Sequence, residues 1–591
     1  MRLHPFSPER QLGLVYRIDG TLADIALQSG AKLPRSHFGE YLGLGEVGEF
    51  VLIDVGGLAI FGRIVRVTAS TNNIDALSQT DRRIATEAHV HLLSTIHLGG
   101  RAERGILKYP KVGDPVYAAP GEAVTTVLGS APREDEGDIL LGKLSVGNAV
   151  DVKVPVSRLF GRHVAIVGVT GSGKSWTLAH LVESIGRLYG KVVLIDATGE
   201  FHTLAEQARH LVFGSTDGET LGTLVSIPHY LMRETDRNAF LTPSSGTQLP
   251  KLREAVRSLR LAAAIASDPK VLPTNSALID GMGNVKKAGV SIVTIEKAFE
   301  TYADAVESPH APFNLKRLGR QIELECVWPT AKMDSSRFGD SNSSEVGYVS
   351  TLISRIADLV QTPDIMGVIS PISGAVDVVS EVENWLDSPT KHILRISLRN
   401  LPFANHLREI VVNILGQQFL SLSRDGRFRD TPLVVALDEA HQFFDVTVGD
   451  EFSITRLNAF DLIAKEGRKY GLTICVATQR PGELPAGVIS QVGMTIVHRL
   501  ADGRDRQRIE QAAAELDYSA TRLLPGLVPG EAVLMGVDFA VPVSVRMMRP
   551  ISPPESEGPR YANWKQIRPS KQSSLQKTQE REGQSITGDN S

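Results

Sequence analysis

Residues 162–176 read RHVAIVGVTGSGKSW. Five β-forming residues run into Gly168, and the next eight positions fit G-x-x-x-x-G-K-[ST], a phosphate-binding loop. Gly168, Gly171 and Gly173 let backbone N–H groups of the stretch Gly168, Val169, Thr170, Gly171, Ser172, Gly173 close around phosphate oxygens. Lys174 supplies a point charge for the β- and γ-phosphates, Ser175 a hydroxyl for Mg²⁺, and Trp176 closes the nucleotide-binding stretch. An amphipathic stretch follows (SWTLAHLVESIGRLYG), then KVVLIDAT, so the order is strand, loop, helix, strand. That is a βαβ unit with the helix N-terminus at the phosphates. The loop implies ATP or GTP and Mg²⁺, and leaves open what the energy is used for.

Outward from this unit, the chain of 591 residues is too long for one hydrophobic core. Residues 1–150 carry short β-type runs cut by glycine, with helical periodicity around 72–96, and are expected to form a small β-barrel or sandwich. Residues 151–224 hold the first part of a nucleotide-binding core. Residues 225–388 show three- and four-residue apolar spacing, as in LREAVRSLRLAAAIAS, and are expected to be a helical insertion. The α/β pattern resumes over 389–550 and ends in a hairpin near 530–546. Residues 551–591 are polar and read as a flexible tail with Tyr561 and Trp564 as its aromatics. The expected fold class is α/β: a RecA-like parallel-sheet P-loop ATPase core with a helical insertion, preceded by an N-terminal β-barrel.

LVVALDEAH (433–441) is an apolar strand ending in two acids. At the C-terminal edge of a parallel sheet, Asp438 can hold Mg²⁺ through water and Glu439 can act as general base toward the attacking water. The second acid argues for hydrolysis rather than switching. ICVATQR places Gln479 at the end of another apolar strand, where an amide can sense the γ-phosphate. A hydrolase of this kind needs an arginine to neutralise developing charge. Arg162 lies just ahead of the loop strand and Arg468 lies in EGRKYG before the sensor strand; Asp196 and Glu200 flank the second strand in DATGEF. If no arginine of the same chain reaches the γ-phosphate, a neighbouring subunit must supply it, and that requires a ring.

The composition excludes other classes. The net charge of −4 gives no global basic field, so any nucleic-acid surface must be local. The cluster Arg424, Arg427, Arg429 is a candidate, with a solvated loop as the plainer reading. Two widely separated cysteines, Cys326 and Cys475, exclude a zinc site and read as reduced core thiols. The N-terminus lacks the apolar segment of a signal peptide, and no apolar run approaches the ~20 residues that span a bilayer. A cytoplasmic protein without membrane contact is expected.

RHVAIVGVTGSGKSW, VVLIDATGEF, LVVALDEAH, AKEGRKYGLTICVATQRPGELP and SQVGMTIVHRL resemble, in order and spacing, the HerA family of HerA/FtsK-type ring ATPases. The resemblance extends to the β-rich segment before residue 150 and reaches about residue 550. It implies a homohexamer with ATP and Mg²⁺ at subunit interfaces and double-stranded DNA in a central channel. It also implies an effector partner: a nuclease or sirtuin-like NAD hydrolase in bacterial anti-phage defence, or a NurA-like nuclease in DNA-end resection. Carried over by position, Lys174 and Ser175 bind phosphate and Mg²⁺, Asp438 and Glu439 are the metal-binding and water-activating acids, and Gln479 is the sensor. Arg162, Asp196 and Arg468 fall at active-site positions of the family, with Arg468 the arginine given in trans. The family often has proline and histidine after the first acid; DATGEF replaces them here and leaves the role of Glu200 open. Conjugation-type pumps usually add membrane segments or a winged helix, and neither is visible.

Overall fold

A computed structural model describes residues 6–27, 36–37, 40–41, 45–69, 86–97, 100–127, 137–145, 150–215, 222–370, 374–449, 454–512, 521, 523–536 and 541–555. The first part of the chain alternates inward and outward residues along antiparallel strands. Gln11–Asp19, Leu22–Leu27, Phe50–Asp54, Leu58–Ala69, Thr86–His97 and Pro115–Ala118 form one sheet. Pairing of Leu22–Leu27 with Thr86–His97 closes it into a six-stranded barrel. Val15, Ile25, Val51, Ile53, Ile64 and Val90 fill the interior. Residues of the opposite parity, Leu52 and Phe61, pack instead with the core of the second, larger sheet. One strand pattern thus serves two cores, as the two-residue period allows.

Two expectations for this region are corrected. Residues 86–97 are a strand rather than part of a helix, because their alternating pattern buries Ala88, Val90 and Leu92 on one face; residues 72–85 lie outside the described residues. The barrel also ends before residue 150. Asp138–Leu144 and Asp151–Pro155 pair with each other, and the first pairs with Val543–Met547, so both belong to the second, larger sheet.

Among the described residues that sheet has thirteen strands. At its centre lie Val492–Val497, His163–Val167, Leu472–Thr478, Leu433–Leu437, Lys191–Asp196 and Ile393–Ser397, all parallel. Ala208–Phe213, Thr223–Ser226 and Val376–Asp377 extend it on one side. The hairpin Glu531–Gly536/Val543–Met547 continues it antiparallel on the other. The strands at 163, 191, 433 and 472 are buried at every position, as a sheet covered on both faces requires. The sensor strand 472–478 lies between the loop strand and the acid strand. This is the expected α/β core, built on a parallel central sheet.

The segment between Thr223–Ser226 and Val376–Asp377 is mainly helical, and those two short strands pin both its ends to the sheet. Its main helices are Gln248–Ser267, Leu318–Leu324 and Ser343–Gln361. Leu252, Leu259, Phe313, Ile322 and Leu352 pack in the same core as the sheet. Asp377 caps the helix Val378–Asp387 by accepting from the backbone N–H of Val379 and Ser380.

Cys326 and Cys475 are buried and free, and burial pushes their thiols up to about 11 and about 12. No helix among the described residues is long and apolar enough to cross a membrane. The core continues past residue 550: the backbone N–H groups of Ile551 and Ser552 donate to buried Glu183 at 2.8 and 2.7 Å. Tyr561, Trp564 and the rest of the expected tail from residue 556 lie outside the described residues.

Candidate active site

The strands at 163, 191, 433 and 472 run in register, so their C-terminal ends reach one edge of the sheet. The loop 168–173, the DATGEF turn, Asp438-Glu439 and Gln479 all follow those ends. The loop leads into the helix Lys174–Arg187. Gly173 has φ 112°, a backbone only glycine adopts without strain. A Cβ on Gly168 would lie 2.7 Å from the Ser172 hydroxyl, which donates to the Val169 carbonyl at 2.6 Å. Lys174 donates to the same carbonyl at 3.1 Å, so the loop itself holds its lysine. Burial lowers the Lys174 pKa, opposed by the charges of Glu439, Asp438 and Glu200. Trp176 lies in the first helical turn with the Arg549 guanidinium 5.8 Å from its ring centroid.

His498 braces the loop from below. Its Nδ1 donates to the Glu531 carbonyl at 2.9 Å, which leaves Nε2 to accept from the Thr177 hydroxyl at 2.9 Å. Burial lowers its pKa to about 4, so the ring is neutral in this role.

Asp438 is buried, and its carboxyl pKa is raised well above the ordinary value, first by burial and then by Asp196, Glu439 and Glu200. Glu439 sits at φ 47°, a left-handed conformation that a non-glycine residue adopts at a cost. Gln479 donates its amide to Glu439 and accepts from the Thr170 hydroxyl. The phosphate loop, Gln479 and Glu439 are therefore one hydrogen-bonded chain. His441 lies 3.5 Å from Glu439, but burial lowers its pKa, and its Nδ1 also faces the Thr478 hydroxyl at 3.2 Å.

Glu200 is brought into the site. Its carboxylate takes a hydrogen bond from Ser175, its pKa is raised by burial, and one of its oxygens is buried without a partner. A hydroxyl, an unpartnered carboxylate oxygen and a buried acid with neighbouring negative charges fit a hard cation. Ser175, Asp438 and Glu200 are the groups that would hold Mg²⁺, directly or through water. No group of three or more His, Cys, Asp or Glu side chains forms a metal site by itself among the described residues. Mg²⁺ at a phosphate loop draws its remaining oxygens from water and phosphate.

Asp196 ends the strand Lys191–Asp196 at the same edge of the sheet. It is fully buried beneath the turn and accepts from Gly199 N–H at 2.7 Å, Phe201 N–H at 3.1 Å and Arg395 Nε at 2.7 Å. These bonds shape the turn that presents Glu200, and the charge of Asp196 helps raise the carboxyl pKa values of both Asp438 and Glu200. Arg162 and Arg468 are not brought to the loop of their own chain. Arg162 precedes the strand His163–Val167, and its stem packs over Gly493, where no Cβ would fit. Arg468 is exposed in the turn Gly467–Tyr470, just before the strand Leu472–Thr478. Both arginines therefore share the sheet edge opposite the phosphate loop, a strand length of roughly 17 Å away. Arg424 and Arg427 are paired with Glu466 and Asp387, as in a solvated loop.

Residues 139–276 match the family model of the helicase HerA central domain. A probable helicase of Methanocaldococcus jannaschii is 22% identical over 85% of this chain and 86% of its own length. Over most of its length the chain is thus similar to HerA-type helicases. The DNA double-strand break repair helicase HerA of Sulfurisphaera tokodaii is 22% identical over 85% of this chain and 88% of that protein. The protein of the same name from Pyrococcus furiosus is 22% identical over 77% of each. Among solved structures, VirB4 of Thermoanaerobacter pseudethanolicus is similar with a TM-score of 0.41 and 16% identity, covering 70% of this chain and 97% of that one. The plasmid coupling protein TrwB bound to a GTP analogue has a TM-score of 0.42 and 14% identity, covering 73% and 94%. Against this HerA-type background, sequence reasoning missed His498 and Arg395. His498 was visible only as part of VHRL at a strand end, and Arg395 only as a charge in the apolar run HILRIS.

Proposed function

We propose that the chain is a cytoplasmic, Mg²⁺-dependent ATPase that assembles as a homohexamer and translocates double-stranded DNA through the ring. Glu439 activates water, Gln479 positions it, and Lys174 and Ser175 hold the phosphates with Mg²⁺. Arg468 of one subunit completes the site of the next, with Arg162 beside it. The observation that carries this reading is the placement of both arginines on the sheet edge away from their own phosphate loop. A γ-phosphate in this site then gains an arginine only from a neighbour, and a closed ring gives every site one. The barrel, with its own core, offers a surface on which an effector docks, a nuclease or a sirtuin-like NAD hydrolase in anti-phage defence.

The names of the repair helicases among the relatives favour a second reading for the same engine: DNA-end resection with a NurA-like nuclease. Hydrolysis by the full-length chain, measured with and without linear duplex DNA, tests the motor. Duplex DNA is expected to raise kcat severalfold. Hydrolysis indifferent to DNA at every salt concentration contradicts translocation.

A further inference from the structure

The helix Gln248–Ser267 contains KLREAVRSLR. Its spacing puts Arg253, Arg257 and Arg260 beside an apolar stripe of Leu252, Val256 and Leu259. Between this helix, the helix Glu234–Leu241 and the segment around Phe313 lies a cavity of about 230 Å³. Met232, Leu241, Leu252, Val256, Phe313 and Leu318 give it an apolar wall, while Arg237, Arg253, Arg257 and Arg260 also line it.

The four guanidinium groups are not equivalent. Arg253 is paired with Glu234 at 2.7 Å and Arg257 with Glu307 at 2.5 Å. Arg237 and Arg260 have no carboxylate at ion-pair distance among the described residues. The acids whose charge they feel include these same two, already engaged. Arg237 and Arg260 instead donate to backbone carbonyls, at Met232 for the first and at Val306 and Pro309 for the second. The Nε of Arg260 is buried without a partner, and so is the side-chain oxygen of Asn238, another lining residue. Burial and the charge of Arg260 both hold the Arg237 pKa below its ordinary value. Glu234, which also lines the cavity, and Asp236 act on Arg237 and Glu307 acts on Arg260, but none is ion-paired to either, and two neighbouring half-buried cations without a paired anion are costly unless something supplies one.

We propose that this cavity binds a small organic anion. One carboxylate or phosphate group lies between Arg237 and Arg260, and an apolar or aromatic body rests against Leu252, Val256 and Phe313. The size fits: an apolar cavity of about 150 Å³ accommodates benzene, so this one accommodates a ring system with an acidic substituent. The site is separate from the phosphate loop and does not depend on how ATP is used.

Calorimetric titration of the full-length chain with 2-naphthoate tests it, against the neutral isostere 2-naphthalenemethanol. The expected result is saturable binding at one site per chain, unaffected by excess ADP. The neutral isostere should bind roughly ten- to hundredfold more weakly, the worth of a charge-assisted hydrogen bond. Arg260→Gln and Arg237→Gln should each weaken 2-naphthoate by a similar factor. Equal affinity for the alcohol, unchanged affinity in both folded variants, displacement by ADP, or no saturable binding at millimolar 2-naphthoate would overturn the proposal. The comparison of the two ligands on the parent chain stands even if a variant does not fold.

Discussion

Gln479 donates its side-chain amide to the carboxylate of Glu439 across the ends of two adjacent parallel strands. Its own oxygen accepts from Thr170 in the phosphate loop. Glu439, the proposed base, is thereby tied through a single amide to the glycine loop. Glu439→Gln should keep the geometry and remove the base. A fall in kcat of about 10²- to 10⁴-fold is expected, with nucleotide affinity nearly unchanged. Gln479→Ala should lower kcat by roughly tenfold or more while leaving affinity intact. Phosphate release and nucleotide titration read the two effects separately; a variant that loses affinity in step with kcat would place Gln479 in binding instead.

Lys174 is held 3.1 Å from a carbonyl of its own loop, poised for an incoming phosphate. Lys174→Ala should abolish turnover through loss of the charge on the β- and γ-phosphates. Turnover retained at saturating ATP would remove the loop from the mechanism.

Asp196 and Arg395 form an ion pair with both side chains fully buried. Breaking it leaves an uncompensated buried guanidinium, so Asp196→Ala should cost about 3–5 kcal/mol of stability. Replacing both with apolar residues (Asp196→Leu with Arg395→Met) should recover much of that loss, as seen in urea denaturation of the single and double variants. A catalytic Asp196 would instead give a stable, inactive single variant.

Asp236 is buried, and burial raises its pKa from 3.8 to about 6 despite the hydrogen bond from Asn413. Between those values the folded chain keeps a proton that the unfolded chain releases, so this group lowers stability as pH rises through the window. Above pH 6 the cost is complete, roughly 3 kcal/mol for a shift of about two units. Asp236→Asn should therefore raise Tm relative to the parent above pH 6, with the gain shrinking toward pH 4. Parallel melting curves across that range check it; a gain independent of pH contradicts it.

The parallel core and its ligand edge were legible because GVTGSGKSW, LVVALDEAH and ICVATQ each combine an apolar run with a polar terminus. The strand Thr86–His97 was obscured by its own composition: histidines and threonines alternate with the apolar residues and weaken the period-two signal. The limit of the barrel was hidden because Asp138–Leu144 finds its partner some four hundred residues later, at Val543–Met547, a pairing no local pattern announces. Asp196 and Glu200 exchanged prominence for a similar reason. The strand-end acid is taken up by Arg395, a distant residue in sequence, and the turn carries the second acid to Ser175.

Each site is proposed to be completed by an arginine from the next subunit. Arg468→Ala and Glu439→Gln chains should each hydrolyse ATP poorly alone while forming rings of normal size. Mixed and reassembled, they create interfaces where an intact Glu439 meets an intact Arg468. ATPase activity of the mixture should therefore rise well above that of either variant, in proportion to the fraction of such interfaces. Mixed rings, verified by differently tagged chains, with no gain in hydrolysis would contradict the account.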